Sequence, residues 1–365
     1  MGLAAATEPI FIAGMYKSGT SWLLRVLNAH PRVKGVKEID LLRAGAGEPE
    51  RGDALLPMKE RLFGYFGNNS WGAMPKDVTD DAEAAAILRR YGCDKQVMDI
   101  FDLPAEKAVD AVIEIAKLVA SPERTRWLPM DRKPLLSLLE LPRVTVLELY
   151  RKIQDAGDIY SASDAFIECL ATVPPQSRIL VLKGADQIAR YEYLKAWRPG
   201  AKKIVIVRDG RDAAISALHF DALMRKARRA HIGQESGYME LLAGWVNRIQ
   251  RLLSVAKDPQ LKVIRYEDLI LRFREVTAAL FGWLELPVSN LELEEIERLT
   301  NFEMLSGRRR GDSAEHVMRK GIIGEWMSTL SSDDAERAWE IAANELAALG
   351  YTWDGRYKPL STGAF

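Results

Sequence analysis

The chain is poor in the residues that build cross-linked or metal-bound scaffolds. It has 2 cysteines in 365 residues. They are Cys93 and Cys169, far apart and outside any CxxC or metal-ligand spacing. A disulfide framework is therefore not expected, and a reducing, cytoplasmic setting is the default. Histidine is scarce as well, at 4, and forms no metal-ligand cluster. Net charge is absent, because 51 Lys+Arg balance 51 Asp+Glu. That balance argues against a protein built mainly to bind nucleic acid or a membrane surface, and leaves room for a local basic pocket. No apolar run approaches the length of a membrane span. The opening residues carry no basic segment followed by a long apolar one, and Ala6 stands where a myristoylation signal needs Ser or Thr. Internal repeats and low-complexity tracts are missing too.

What remains is ordinary globular composition, 48% hydrophobic and 28% charged. The length exceeds one compact core, so two domains or one α/β domain with a large insertion both fit. Four short apolar, β-branched runs stand out: Pro9–Ala13, Ile179–Leu182, Lys203–Val207 and Lys262–Arg265. Continuous apolar runs of this length suit strands covered on both faces, as in a parallel sheet. Each precedes a turn signal and helix-like sequence, which reads as α/β with a mostly parallel sheet flanked by helices. A last helix is expected over Asp333–Leu349, capped by Ser331 or Ser332 and stopped by Gly350. Its stripe of Trp339, Ala342, Leu346 and Leu349 reads as core packing.

Residues 41–177 carry no strong strand signal. They hold helix-like segments at Asp80–Tyr91, Ala105–Ala120 and Ser161–Thr172, punctuated by Pro122, Pro129, Pro134 and Pro142. The expectation is a helical insertion that caps the carboxyl edge of the sheet, within a single 365-residue domain.

The strongest local motif runs from Gly14 to Trp22, GMYKSGTSW. It follows the first strand and opens an apolar helix over Ser21–Asn28. Backbone N–H groups at such a turn converge, and the helix dipole adds positive potential, so the place favours a phosphate. Gly19 permits close approach of a ligand. Ser18, Thr20 and Ser21 add hydroxyls and Lys17 adds a charge. A nucleoside-triphosphate loop of the form GxxxxGK[ST] is the rival. Here the lysine precedes the second glycine, and Thr20 occupies the place of that loop's lysine. The order argues against an ordinary ATPase or kinase.

Tyr16-Lys17-Ser18-Gly19-Thr20-Ser21-Trp22 resembles the 5′-phosphosulfate loop of the sulfotransferases that use 3′-phosphoadenosine 5′-phosphosulfate (PAPS). Two further stretches are similar to that family, in the same chain order. Arg208, at a strand end, and Ser216, eight residues on, match its 3′-phosphate motif. Arg319-Lys320-Gly321-Ile322-Ile323-Gly324-Glu325-Trp326 resembles its RKGxxGDW loop, with Glu325 where the pattern has Asp. Tyr266, Thr300 and Phe302 match positions that contact adenine, with Trp22 and Phe302 sandwiching the base. The resemblance covers residues 9–38, 179–220 and 260–330.

The resemblance implies a P-loop-like α/β fold and transfer of a sulfuryl group from PAPS to a hydroxyl of an aliphatic, sugar, lipid or polyketide acceptor, with no metal. Lys17 would neutralise the bridging oxygen as the bond to it breaks. The family's cytosolic branch carries Lys-Thr-His after its second motif strand, whereas this chain reads Lys183-Gly184-Ala185. Lys183 fits and the histidine is missing. A carboxylate base is then expected, Glu38 first and Asp186 second. The alternatives are a kinase-like phosphotransferase and a PAPS-binding protein without catalysis. The basic runs Arg225–Arg229 and Arg308–Arg310 are left as a solvated face and as a possible aid to PAPS or to a lid. The acceptor and the oligomeric state are not legible.

Overall fold

A computed structural model describes residues 8–37, 82–92, 103–120, 142–172, 179–184, 187–228, 237–314 and 318–358. The chain divides into two compact units, one of Met1–Ala6 with Glu38–Ser177 and one of Thr7–Lys37 with Arg178–Phe365. In the first unit the described elements are helices, Ala82–Tyr91, Ala105–Ala120, Arg143–Asp155 and Ile159–Thr172. Arg143 ties two of them together through a bidentate pair with Asp110, at 2.6 and 2.9 Å.

The second unit holds a five-stranded sheet of β1 (Ile10–Ile12), β2 (Val33–Lys37), β3 (Ile179–Lys183), β4 (Lys203–Val207) and β5 (Leu261–Arg265), in the order β2-β3-β1-β4-β5. Every pairing is parallel. The alternation of β4 shows why such strands must be apolar throughout. Ile204 and Ile206 pack into one core, and Val205 and Val207 into the other. The first core is closed by α1 (Thr20–Asn28), α4 (Phe273–Trp283) and α5 (Asn290–Thr300), the second by α3 (Tyr238–Val255) and α6 (Ser332–Ala348). Between β4 and α3 runs α2 (Gly210–Arg228).

Four expected strands are present, with β1 shorter than Pro9–Ala13 and β3 and β5 one residue longer. A fifth, β2, was not anticipated. Its sequence, VKGVK, mixes lysine and glycine with valine and carries little strand signal of its own. Pairing of all five of its residues with β3 supplies the order. The last helix begins at Ser332, one residue early, and Ser331 caps it by accepting from the Asp334 amide at 3.1 Å. Such a cap contributes about 1 kcal/mol. Ala342, Leu346 and Leu349 are buried as expected, and Gly350 takes the left-handed turn at φ 79°. No helix among the described residues is long and apolar enough to cross a membrane.

Candidate active site

In an open parallel sheet, ligands gather beyond the carboxyl ends of the strands where the strand order reverses. Here β1 lies between β3 and β4, so the chain reverses on either side of it. Lys183 is the last residue of β3, Arg208 follows β4 directly, and Tyr266 follows β5 directly. The loop that carries Lys17 leaves β1 at the same edge.

That loop is tightly drawn. Lys17 sits at φ 61° and Gly19 at φ 95°. The left-handed conformation costs a non-glycine residue about 1 kcal/mol, so surrounding contacts must hold Lys17 in it. A Cβ on Gly14 would lie 2.3 Å from Thr20 Cγ2, and one on Gly19 would lie 2.7 Å from the Tyr266 ring. Glycine is required at Gly19 for both reasons. The amides of Trp22 and Leu23 donate to the Gly19 carbonyl at 3.0 Å, while the first-turn amides of a helix have no partner inside it. Ser18 is fully buried and its Oγ has no hydrogen-bond partner.

Arg208 is buried with its guanidinium 4.8 Å from the centroid of Tyr266. Its Nη2 donates to the Ile322 carbonyl at 2.9 Å and reaches Asp212 Oδ2 at 3.4 Å. Its Nε has no partner. Asp212 also accepts from the amides of Gly324 and Trp326, at 2.8 and 3.0 Å. One buried carboxylate thus fastens the 318–326 segment to the start of α2. Asp212 was not among the expected site residues; it lies in the first turn of α2, four residues after Arg208. Ser216, one turn further along, is half-buried.

The 318–326 segment is cationic and internally latched. Glu325 is buried and receives Arg319 Nη2 on one oxygen and Lys320 Nζ, at 2.8 Å, on the other. Burial works to raise its pKa, but the two cations outweigh burial and hold it below the usual carboxylate value. Arg319 Nε has no partner. Arg308 donates to the carbonyls of Arg319, Met318 and Asp312, and Arg310 to that of Gly321. The two arginines therefore tie this segment to the turn that precedes it. Both lie over the Phe302 ring, at 5.6 and 5.4 Å from its centroid. A Cβ on Gly321 would lie 2.5 Å from that ring.

Thr300 and Trp22, both expected at the adenine, are joined to each other. The Thr300 hydroxyl donates to the Ile296 carbonyl of its own helix at 2.7 Å, and the Thr300 carbonyl accepts from Trp22 Nε1 at 2.7 Å. Trp22 meets Tyr266 edge-on at 5.6 Å and lies tilted against Phe273 at 6.3 Å. Thr300 thus aims the indole.

Lys17 is half-buried, and its Nζ stands 4.2 Å from the centroid of Phe220 on α2. Burial pulls its pKa down to about 8, helped by repulsion from Arg208, Lys183 and Arg319 and opposed by Asp221. Lys183 is buried and lies in register with Ile12 of β1 and Lys37 of β2. His219 lies on the same helix as Ser216 and is exposed. The candidate bases Glu38 and Asp186 fall outside the described residues. Glu38 directly follows Lys37, the residue paired with Lys183.

A family profile described as the sulfotransferase domain matches residues 188–350. Among curated relatives, the amine sulfotransferase of Oryctolagus cuniculus is 25% identical over 177 residues, 42% of this chain and 58% of the relative. Sulfotransferase 1B1 of Mus musculus is 24% identical over 158 residues, 39% of this chain and 52% of the relative. The chain thus spans a little over half the length of these curated relatives. Among solved structures, sulfotransferase STF9 from Mycobacterium avium is similar at 16% identity and TM-score 0.46, over 97% of this chain and 79% of that one. The sulfotransferase domain from the curacin biosynthetic pathway is similar at 16% identity and TM-score 0.45, over 92% and 96%.

Proposed function

We propose that this chain is a PAPS-dependent sulfotransferase, in keeping with the sulfotransferase-domain profile it matches over residues 188–350, and that it transfers a sulfuryl group from PAPS to a hydroxyl group of a small-molecule, glycan or lipid acceptor. The observation that carries the reading is a set of three buried side-chain atoms without hydrogen-bond partners, Ser18 Oγ, Arg208 Nε and Arg319 Nε. A buried polar group without a partner costs about 1–3 kcal/mol. Three of them, two carried by arginines, together with Lys17 fit a ligand carrying two phosphate-type groups. The loop from Gly14 to Trp22 lies outside the matched stretch 188–350, so its place in this reading rests on its geometry and on the motif it carries.

In this reading Ser18, Thr20, Ser21 and the opening amides of α1 hold the 5′-phosphosulfate. Arg208, Ser216, Arg319, Lys320 and the Gly321 turn hold the 3′-phosphate. Tyr266, Trp22 and Phe302 face the base. The acceptor oxygen bonds to sulfur as the bond between sulfur and the bridging oxygen breaks, and charge grows on the departing phosphate. Lys17 neutralises that charge, with Lys183 adding positive potential beside it. Donors of this kind supply about 3–4 kcal/mol of barrier lowering each. The acceptor's proton passes to a carboxylate, Glu38 by preference and Asp186 otherwise. The helical unit over residues 41–177 would cap the acceptor.

The test is thermal stabilisation by adenosine 3′,5′-bisphosphate, with AMP and ATP plus Mg²⁺ as controls. At one hundred times its dissociation constant a ligand adds about 2.7 kcal/mol to a two-state fold. The bisphosphate is expected to stabilise, AMP is not, and Arg208→Ala is expected to remove the shift. Stabilisation by ATP plus Mg²⁺ alone would replace this reading with a kinase-like one. A shift without any sulfuryl transfer, in wild type and Lys17→Ala alike, would leave a binding protein.

A further inference from the structure

The loop that carries Lys17 is fastened to a helix that no sequence motif connects with it. Tyr16 donates its hydroxyl to Asp221 Oδ1 at 2.6 Å, across 205 positions of sequence. The Tyr16 ring meets Phe220 edge-on, with centroids 5.8 Å apart. The Lys17 ammonium lies over the same Phe220 ring. Phe220 and Asp221 both belong to α2, whose start holds Asp212. Asp212, Ser216 and Phe220 recur at intervals of four, so they line one stripe roughly 12 Å long on a single rigid element.

We propose that Asp221 and Phe220 are positioning residues for Lys17: Asp221 anchors the loop through Tyr16, and Phe220 gives the ammonium a shelf. This deepens the reading above and rests on Lys17 acting at the transferred group. The backbone of Lys17 is in a conformation that a loop does not keep unaided, and the Tyr16 hydrogen bond fixes it one residue away. The side chain is fixed separately, because the electron-rich face of an aromatic ring attracts a cation. The charged groups around Lys17 come from four elements. Arg208 at the end of β4, Lys183 at the end of β3 and Arg319 in the 318–326 segment repel it, and Asp221 on α2 attracts it. Without Asp221 the other three charges only repel the ammonium, and without Phe220 its shelf on α2 is lost. The same helix reaches from Arg208's partner Asp212 to Phe220, so it sets the spacing between the 3′-phosphate end and the transfer end of the site.

The experiment has two readouts on the full chain. The first is the pH titration of the Lys17 side chain by ¹³C NMR of labelled lysines, assigned by the signal missing in Lys17→Arg. Asp221→Asn is expected to lower the Lys17 midpoint by roughly half a unit or more, because an attracting charge is lost, and Asp221→Glu to restore it. The second is steady-state transfer from PAPS. Tyr16→Phe and Asp221→Asn are each expected to lower kcat by about tenfold with KM for PAPS little changed, since misplacement of a reacting group acts on the transition state. The double variant is expected to lose no more than either single one, because both break one hydrogen bond. Phe220→Leu is expected to lower kcat, and Phe220→Tyr to keep it. An unmoved midpoint in Asp221→Asn, or additive losses in the Tyr16–Asp221 pair, would overturn the proposal. If the midpoint moves but wild type transfers no sulfuryl group, the functional reading fails and the anchoring of Lys17 stands. If wild type transfers and the midpoint stays, the anchoring fails alone.

Discussion

Binding of a doubly charged 5′-phosphate beside Lys17 should take up protons, and the amount follows from the site. Burial and the cations around Lys17 bring its pKa from the ordinary lysine value to about 8. The free chain therefore holds roughly one-tenth of Lys17 neutral at pH 7, half at pH 8 and nine-tenths at pH 9. A neighbouring dianion favours the charged ammonium by one to three units, which puts the bound pKa at about 10. The ligand's phosphates titrate near pH 6 and contribute little above pH 7. Adenosine 3′,5′-bisphosphate should thus bind with uptake of roughly 0.1 proton at pH 7, 0.5 at pH 8 and 0.8 at pH 9. Its affinity should fall about tenfold between pH 7 and pH 9, or about 1.4 kcal/mol. Calorimetry in two buffers of different ionisation enthalpy reads the proton count directly. Lys17→Met should bind more weakly at pH 7 and lose the proton uptake. In the ligand-free chain the sign is opposite. The folded pKa lies below the unfolded one, so burial of Lys17 costs stability below pH 8, and that cost is relieved as pH rises towards 10.5. A binding enthalpy independent of buffer at pH 9, with affinity flat from pH 7 to 9, would refute the placement of Lys17 against the 5′-phosphate.

Gly321→Ala places a Cβ against Phe302 at a residue with φ 67°. Urea unfolding should show a loss of about 1–3 kcal/mol, and bisphosphate affinity should fall with it. Glu267 is buried between the Asp209 amide, at 3.0 Å, and the Tyr351 hydroxyl, at 2.7 Å, and burial lifts its pKa to about 7. Its folded pKa lies above the unfolded value, so stability is lost as pH rises from about 4.5 to 7. Glu267→Gln should therefore raise Tm at pH 8 and leave it nearly unchanged at pH 4.5, with up to about 3 kcal/mol at stake. Equal effects at the two pH values would show that Glu267 is not the titrating group.

The parts of this candidate site that were legible in the sequence share one property: each is carried by residues close together in the chain. A glycine-bearing turn between an apolar strand and an apolar helix marks the residues from Lys17 to Trp22, although distant contacts hold the Lys17 conformation. An arginine directly after a buried strand and a serine early in the next helix are likewise neighbours in sequence. β2 was not legible because lysine and glycine weaken its own preference, and its order comes from β3, 146 residues away in register. The buried polar links were hidden for the same reason. Arg211 donates to the carbonyls of Thr352 and Trp353 and stacks 3.8 Å from Trp326, while Arg265 reaches the carbonyls of Leu349 and Lys358. In sequence these are unremarkable charges. They become buried ties only because β4 and β5 lie side by side under the last turn of the chain. Asp221 is the sharpest case. Along α2 it is one acid among polar and apolar neighbours, with no spacing that marks it. The fold brings it to Tyr16, and so makes it the one attracting charge among the four that face Lys17. The residue types that bind phosphate can be read from local order, but the groups that aim them have to be found in space.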